Sequence, residues 1–147
     1  MKLDILIRGT DGKQRMSKTV GNIIGVTEDP ALLRKQVQSM VTDVKRTYMT
    51  QPGHPRTCNV CALYKFFFDD WQHYWDLCRK AQIGCGEKKK ILAERMIEVF
   101  KPFREVRAEL TPEIVTRILD EGSEKARDVA RHTMVEVRQA VGLPTLR

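Results

Sequence analysis

The spacing of apolar residues along the chain predicts helices through most of its length. After residue 28, apolar side chains recur every three or four positions, as they do on one face of an α-helix. Asp29 followed by Pro30 is a typical helix start, and the spacing carries this first helix to about Lys45. Three further helices are predicted over 59–69, 71–81 and about 87–109, with Pro102 expected to kink the third of them.

The C-terminal part of the chain predicts two more helices. Thr111-Pro112 repeats the capping pattern and opens a short helix, which Gly122 is expected to end. Ser123 can cap a final helix, which Gly142 and Pro144 stop. This final helix carries a stripe of apolar side chains at Ala126, Ala130, Met134, Val137 and Val141.

The residues before the first helix follow a different pattern. Residues 3–7 read as one short strand that runs into a turn-rich loop at 8–12. A lone strand cannot form a sheet, so its partner strands are expected to be missing from this chain. The predicted fold class is therefore mainly α, with a helical bundle over 29–147 preceded by one short strand and a loop within 1–28.

The composition is that of one modest globular domain. The 147 residues are 41% hydrophobic and 31% charged, which excludes a disordered or collagen-like chain. No apolar run approaches the roughly 18 residues that a membrane-spanning helix needs. Asp4 lies inside the short apolar stretch at the N-terminus, so we expect no signal peptide and a cytoplasmic protein without a membrane partner.

The net charge of +7 is concentrated towards the N-terminus, where residues 1–56 hold ten Lys or Arg against five Asp or Glu. One glycine-bounded loop places three cations within six residues, together with two hydroxyl groups. They belong to Lys13, Arg15, Lys18, Ser17 and Thr19. Cationic groups neutralise the charge of a phosphate and hydroxyl groups orient the phosphate, so the loop predicts a polyphosphate site. It is not a Walker loop, because the Gly-Lys-Ser/Thr ending of that motif is absent.

The run Arg15-Met16-Ser17-Lys18-Thr19 resembles the Lys-Met-Ser-Lys-Ser signature of the class I aminoacyl-tRNA synthetases. Arginine replaces the first lysine and threonine replaces the last serine, so the charge and the hydroxyl are kept. In that family the loop closes over ATP and stabilises the pyrophosphate leaving group while the aminoacyl-adenylate forms. The resemblance implies that Lys18 is the catalytic residue and that ATP is bound by Leu6, Arg15, Met16, Ser17, Lys18 and Thr19.

About nine tenths of the chain, from Gly9 onwards, resembles the C-terminal half of bacterial-type tryptophanyl-tRNA synthetases. The matching runs are 15–22, Asp29-Pro30 with the helix that ends in Val41-Thr42-Asp43, Pro52-Gly53-His54-Pro55, Gln82-Ile83-Gly84-Cys85, 121–127 and 136–143. The resemblance implies that residues 1–28 are a remnant of a Rossmann-like nucleotide-binding domain that is otherwise absent. It implies that residues 29–147 form the anticodon-side helical domain.

The function implied by this resemblance is part of a tryptophan-tRNA ligase, which activates tryptophan with ATP and transfers it to tRNA. The implied partners are tryptophan-specific tRNA, ATP, the missing N-terminal half and, in the full enzyme, a second copy in a homodimer. Because the chain has no His-x-Gly-His signature, we expect it to be catalytically incompetent alone. Two alternatives stay open: a stand-alone non-catalytic tRNA-binding module, and a redox- or metal-responsive interaction protein.

All four cysteines lie close together in the sequence, as Cys58-x2-Cys61 and Cys78-x6-Cys85. Four thiolates on adjoining helix ends can hold a tetrahedral zinc ion or an iron–sulfur cluster. Some tryptophanyl-tRNA synthetases bind a [4Fe-4S] cluster through a C…C-x6-C-x2-C pattern, and Cys58, Cys78 and Cys85 align with its first three cysteines. The resemblance therefore favours the cluster over zinc. Lys88 stands at the fourth position, where Cys61 could substitute if its turn is helical. The alternative is a partly lost site whose thiols are buried as small apolar groups.

The helical part also carries candidate cations for the phosphates of tRNA. They are Lys45, Arg46, Arg56, Lys88, Lys89, Lys90, Arg104 and Arg107, and each has an alternative role as a solvated surface charge. Unpaired anticodon bases can stack on aromatic side chains. We nevertheless expect packing in the core or between helices for Phe66, Phe67, Trp71, Tyr74 and Trp75.

Overall fold

The computed structural model describes residues 7–144 and contains five α-helices in that range. They are α1 (Pro30–Ser39), α2 (Asn59–Phe67), α3 (Trp71–Arg79), α4 (Cys85–Glu109) and α5 (Pro112–Ala140). The mainly helical fold class is confirmed. The chain forms two compact units, Met1–Glu105 and Val106–Arg147. The predicted strand falls almost entirely outside the described residues, and the predicted domain boundary at residue 28 stays a prediction.

Helix α1 begins where the sequence predicts and ends earlier. The Asp29 carboxylate accepts a hydrogen bond from Ala31 N at 2.8 Å, and Pro30 occupies the first helical position. The helix stops at Ser39, because the backbone of Met40 is extended, with φ −56° and ψ 138°. The predicted continuation to about Lys45 is therefore wrong.

The early end of α1 follows from the burial of Asp43. One of its carboxylate oxygens accepts from His54 N at 2.6 Å and lies 2.9 Å from His54 Nδ1, and the other accepts from Lys45 N at 3.1 Å. The Asp43 side chain is 1% exposed. A helix through residue 45 would engage the Lys45 amide within the helix, so the buried carboxylate would lose this donor. The observed loop lets the Lys45 amide donate to this carboxylate, which apolar spacing alone does not predict.

Helices α1 to α4 bury the hydrophobic core of the first unit. The buried apolar side chains of these helices are Leu33, Val37, Val60, Cys61, Leu63, Tyr64, Trp75, Cys78, Leu92, Ala93 and Met96. Two of the aromatic residues carry polar atoms into this core and satisfy them. The Tyr64 hydroxyl donates to Lys88 O at 2.7 Å, and Trp75 Nε1 donates to Cys61 O at 3.1 Å.

The aromatic residues of α2 and α3 mostly pack, as predicted. Trp75 is buried, and Phe67, Trp71 and Tyr74 are partly buried against the core. Phe66 differs, because 48% of it is exposed. Packing among aromatic rings therefore accounts for most of this cluster, and Phe66 is the member whose ring faces solvent.

Helix α5 is one helix where the sequence predicts two. It runs through Gly122 and Ser123 without a break, so the predicted end at Gly122 is wrong. A single glycine inside a helix costs about 1 kcal/mol and does not end it when its neighbours favour helix. Gly142, by contrast, has φ +71° and follows the last turn, which confirms the predicted stop.

None of the α5 residues is buried within the described structure. Its Thr111 cap accepts from Ile114 N at 3.4 Å, as the capping pattern predicts. Within residues 7–144, no helix combines the length and the apolar character needed to cross a membrane.

Replacing Gly122 with alanine should stabilise α5. Nothing lies within 4 Å of a Cβ added at this position, and alanine loses less backbone entropy than glycine in a helix. We expect the free energy of unfolding to rise by roughly 0.5–1 kcal/mol, measured by urea titration with far-UV circular dichroism. Gly142→Ala is the matched control, and it should be destabilising because its φ is +71°. Equal effects of the two substitutions would contradict this account.

Replacing Asp43 with asparagine should destabilise the fold by roughly 1–3 kcal/mol at neutral pH, because an amide NH2 in place of one carboxylate oxygen cannot accept the hydrogen bonds that this oxygen accepts from His54 or Lys45. Burial raises the pKa of Asp43, but the hydrogen bonds from His54 and Lys45 outweigh it, so this pKa lies below its ordinary value of 3.8. The stability that a lowered folded-state pKa gives is complete at pH values above the ordinary pKa. It is lost as the pH falls through the pKa of the folded state.

The difference between the wild type and Asp43→Asn should therefore shrink below about pH 4, measured by urea unfolding at several pH values. Asp76→Asn supplies the control, since the Asp76 carboxylate is 59% exposed. That control should change the free energy of unfolding little at any pH. An Asp43→Asn deficit of constant size from neutral to acid pH would refute the role given to the carboxylate.

Candidate functional site

The predicted ATP loop folds back on itself, so that its two ends lie side by side. An antiparallel backbone bridge pairs Arg8 with Arg15. At the base of the loop, Thr10 N donates to Asn22 O at 2.9 Å. The signature run over 15–19 therefore belongs to a closed loop and not to an open linker.

The Asn22 side chain fixes the backbone of the signature run. Its Oδ1 accepts from Ser17 N at 2.8 Å, and its Nδ2 donates to Arg15 O and to Asp11 Oδ2, each at 3.2 Å. Asn22 is 4% exposed, so these bonds are shielded from water. Gly9 makes room for it, because a Cβ at Gly9 would lie 2.2 Å from Asn22 Nδ2.

A second asparagine ties this loop to the helical core. Asn59 lies in the first turn of α2, and its buried Nδ2 donates to Gly9 O at 2.7 Å. Beside it, Val41 N donates to Thr10 O at 2.8 Å. The loop is therefore held from both the start of α2 and the segment after α1.

The signature side chains differ in exposure. Arg15, Lys18 and Thr19 are exposed, and Met16 and Ser17 are partly buried. A tight turn follows, in which Gly21 N donates to Ser17 O at 3.1 Å and to Lys18 O at 3.2 Å. Gly21 has φ +74°, which a residue with a side chain rarely adopts. The two cations therefore extend from a backbone that is fixed on both sides.

The signature run offers two cations to an anion. Among the described residues, neither the Arg15 guanidinium nor the Lys18 ammonium takes part in a salt bridge. The nearby carboxylate of Asp11 is engaged by Lys13 N, whose hydrogen bond chiefly lowers the pKa of Asp11. Fixed amides beside two cations suit phosphate binding. Leu6, predicted to meet the adenine, lies outside the described residues.

The cysteine cluster forms a second polar centre, inside the core of the first unit. Cys58, Cys61 and Cys78 are buried, and Cys85 is partly exposed. Lys88 lies among them, fully buried, with its Nζ 3.1 Å from Cys61 Sγ and 3.0 Å from Cys78 Sγ. The interpretation of Lys88 as a surface cation for tRNA is therefore wrong, because its charge faces sulfur and not solvent.

The sulfur atoms and the ammonium perturb one another. Hydrogen bonding with the Cys61 thiol lowers the pKa of Cys58 and, together with Lys88, that of Cys78, against the effect of burial. Hydrogen bonding with Cys58 and Cys78 raises the pKa of Cys61. Burial lowers the pKa of Lys88, but the negative charge of the surrounding sulfurs raises it by more, so this pKa lies above its ordinary value. The cluster therefore favours an ammonium beside negatively charged sulfur.

The residues present do not fit the [4Fe-4S] cluster or the zinc ion that the cysteines suggested. In the described part of the chain, no group of three or more His, Cys, Asp or Glu side chains is placed to hold a metal ion. Cys58 caps α2 and Cys61 lies in its first turn, so these thiols do share a helical turn as required. The ammonium of Lys88, however, lies between Cys61 and Cys78, where a metal ion would need to approach both sulfurs.

The other candidate tRNA cations fall into two groups. Arg46, Lys89 and Arg104 donate to backbone carbonyls, at Ile83 O (2.9 Å), Gln38 O (2.7 Å) and Ile97 O (2.6 Å) respectively. Lys45, Arg56, Lys90 and Arg107 are exposed. The first group holds segments of the fold together, so fewer cations are left to meet phosphates than the sequence suggested.

Sequence reasoning missed the residues that position this site. Asn22 was visible only as the last residue of the matching run 15–22, and Asn59 reaches its partner across 50 positions of the chain. Lys88 was visible as the residue at the fourth ligand position, but one sequence gives no sign of its burial. Each acts through a tertiary contact, which local spacing does not encode.

Comparison with known proteins agrees with the family that the signature loop indicates. A family model for class I tRNA synthetases (W and Y) matches residues 1–101. The tryptophan–tRNA ligase of Aquifex aeolicus is 37% identical over 143 residues, covering 94% of this chain and 36% of that protein. The ligase of Thermotoga maritima is 36% identical, covering 92% of this chain and 42% of that protein.

A solved structure shows the same fold. The tryptophanyl-tRNA synthetase of Campylobacter jejuni, complexed with ADP and tryptophan, has a TM-score of 0.80 and 32% sequence identity, covering 97% of this chain and 45% of that one. The chain thus spans less than half the length of the relatives it matches. The resemblance to the C-terminal part of tryptophanyl-tRNA synthetases is confirmed, and the chain belongs to the class I tRNA synthetases of the tryptophan and tyrosine group.

Proposed function

We propose that this chain supplies the ATP-closing loop and the anticodon-side helices of a tryptophan–tRNA ligase. The observation that carries the proposal is the fixed signature loop, in which Asn22 and Asn59 hold the backbone while Arg15 and Lys18 have no salt-bridge partner among the described residues. Curated relatives with 36–37% identity are tryptophan–tRNA ligases, which supports the same substrate pair, tryptophan and tRNA.

The proposed reaction needs positive charge where this loop provides it. A tryptophan carboxylate oxygen attacks the α-phosphorus of ATP, the bond from that phosphorus to the bridging oxygen breaks, and pyrophosphate leaves with the electron pair. Lys18 stabilises the charge that develops on the leaving group, Arg15 adds a second cation, and the Ser17 hydroxyl donates to a phosphate oxygen. Met16, Thr19 and Leu6 complete the proposed ATP contacts. Because these interactions strengthen as charge develops, they lower the barrier more than they improve binding.

Catalysis is proposed for the complete ligase and not for these residues alone. The chain holds no His-x-Gly-His run, and the tryptophan pocket of the family lies in the N-terminal half. We therefore propose that half as an obligatory partner, with the full enzyme acting as a cytoplasmic homodimer. Under this proposal the chain contributes leaving-group stabilisation and tRNA contacts.

The proposed tRNA contacts rest on exposed cations of the helical part. Lys45, Arg56 and Lys90 are exposed in the first unit, and the chain carries a net charge of +7. Cations that neutralise phosphates release bound counterions, which makes binding dependent on salt. This gives the tRNA proposal a measurable signature that is separate from the ATP site.

Replacing Lys18 with alanine in the complete ligase should lower the rate of adenylate formation roughly 10²–10³-fold, with little change in tryptophan affinity. The reason is that the ammonium acts on the leaving pyrophosphate and not on the amino acid. Tryptophan-dependent pyrophosphate exchange measures the rate, and equilibrium dialysis measures tryptophan binding. Lys35→Ala, an exposed lysine of α1, is the control and should leave both unchanged. Unchanged exchange in Lys18→Ala would remove this residue from the mechanism.

Replacing Arg56 with alanine should weaken binding of tryptophan-specific tRNA and lower the salt dependence of that binding by about one unit of log–log slope, if the guanidinium meets one phosphate. Filter binding at several salt concentrations measures the slope. Lys101→Ala is the matched control, because the Lys101 ammonium already lies 3.7 Å from Glu105. Equal affinity for RNAs with and without the tryptophan anticodon would contradict the anticodon-side role, and tRNA binding by a chain that never forms part of a ligase would favour a non-catalytic module.

A further inference from the structure

We propose that the Lys88 ammonium takes the place of a metal ion in the cysteine cluster, holding the buried thiols of α2 and α3 to α4. We further propose that the side chain at position 88 is what excludes metal from this cluster. The inference concerns the core of the first unit and does not rest on the proposed ligase function.

The position of the ammonium carries the proposal. Lys88 Nζ lies 3.1 Å from Cys61 Sγ and 3.0 Å from Cys78 Sγ, both hydrogen-bond distances to sulfur. A zinc–sulfur bond is shorter, at about 2.3 Å. A metal ion bound by both sulfurs would have to lie between them, in the space where the Lys88 ammonium now contacts both. The lysine and the metal therefore exclude each other.

The surroundings give the ammonium no other partner. Among the described residues, Lys88 forms no salt bridge with a carboxylate, and its hydrogen-bond acceptors are the two sulfur atoms. Lys88 is 0% exposed, so water does not compensate its charge. A buried charge persists only when it is paired and hydrogen-bonded, which makes the sulfurs of Cys61 and Cys78 the required partners.

The backbone around Lys88 fixes the ammonium in this place. Its carbonyl accepts from the buried Tyr64 hydroxyl at 2.7 Å, and its amide donates to Gly84 O at 3.1 Å. On the other side, Gly53 packs against Cys78 so closely that a Cβ at Gly53 would lie 2.4 Å from its sulfur. The cluster is thus enclosed, and removing the long lysine side chain is the change that would open space inside it.

One substitution turns this reasoning into a gain of function. Lys88→Cys removes the ammonium, leaves room at its position and adds a fourth thiol to the three that are buried. We expect the full chain, purified anaerobically from cells supplied with iron and zinc, to contain far less than one metal per chain as wild type. We expect Lys88→Cys to contain close to one zinc ion or one iron–sulfur cluster, measured as zinc, iron and acid-labile sulfide.

The matched control is Lys90→Cys, which adds a thiol two positions away on an exposed residue. It should contain no more metal than the wild type. Stoichiometric zinc or iron in the wild-type protein would overturn the proposal. So would a soluble Lys88→Cys protein whose metal content equals that of Lys90→Cys.

A second variant keeps the proposal falsifiable if Lys88→Cys does not fold. Lys88→Met retains an unbranched side chain and removes the charge, so it should lower the urea midpoint of unfolding. Lys90→Met should leave the urea midpoint unchanged. Adding EDTA should not shift the wild-type midpoint, because no metal contributes to it. A Lys88→Met protein that unfolds at the wild-type midpoint, or a wild-type midpoint lowered by EDTA, would refute the structural role of the ammonium.

Discussion

A buried ammonium must have a partner, and in this protein the partners are sulfur atoms. The contacts from Lys88 to Cys61 and Cys78 link α4 to α2 and α3 inside one apolar core. Around them, Tyr64 and Trp75 donate to backbone carbonyls of α4 and α2 respectively. Because each of these donors is buried, a helix arrangement that moved its acceptor away would leave the donor unsatisfied, which makes the observed arrangement specific.

The position of the signature loop depends on the same helices. Helix α2 carries Cys61 towards the ammonium and Asn59 towards Gly9, so the first turn of one helix joins the core to the loop. Asn22 then transmits this fixed position to the backbone of Ser17. A rigid base suits the role proposed for the signature cations, because charge stabilisation in a transition state depends on groups that are already in place. Two neutral amides provide that base, and they add no negative charge beside the cations.

The second unit shows how periodicity and burial can separate. The stripe predicted for the final helix lies on α5 and its C-cap, yet Met134 and Val137 on α5 and Val141 at the C-cap are between 45% and 62% exposed. Spacing of 3.6 residues reports that a helix has an apolar face, and it does not report what that face meets. The same limit applies to Gly122, since a residue that weakens a helix ends it only when the chain has a reason to turn.

The sequence by itself determined the helical class, the helix starts at Asp29 and Thr111, the stop at Gly142 and the signature loop with its family. Each of these depends on residue type and on neighbours a few positions away, which a single chain records directly. Only the tertiary structure decided the early end of α1 at Ser39, the anchoring by Asn59 and the burial of Lys88. Asp43 has its partner 11 positions away, Asn59 has its partner 50 positions away, and Lys88 has partners 10 and 27 positions away. Burying any of these polar groups without its partner would cost free energy. Such a cost exists only once the chain has folded, so local pattern does not reveal it.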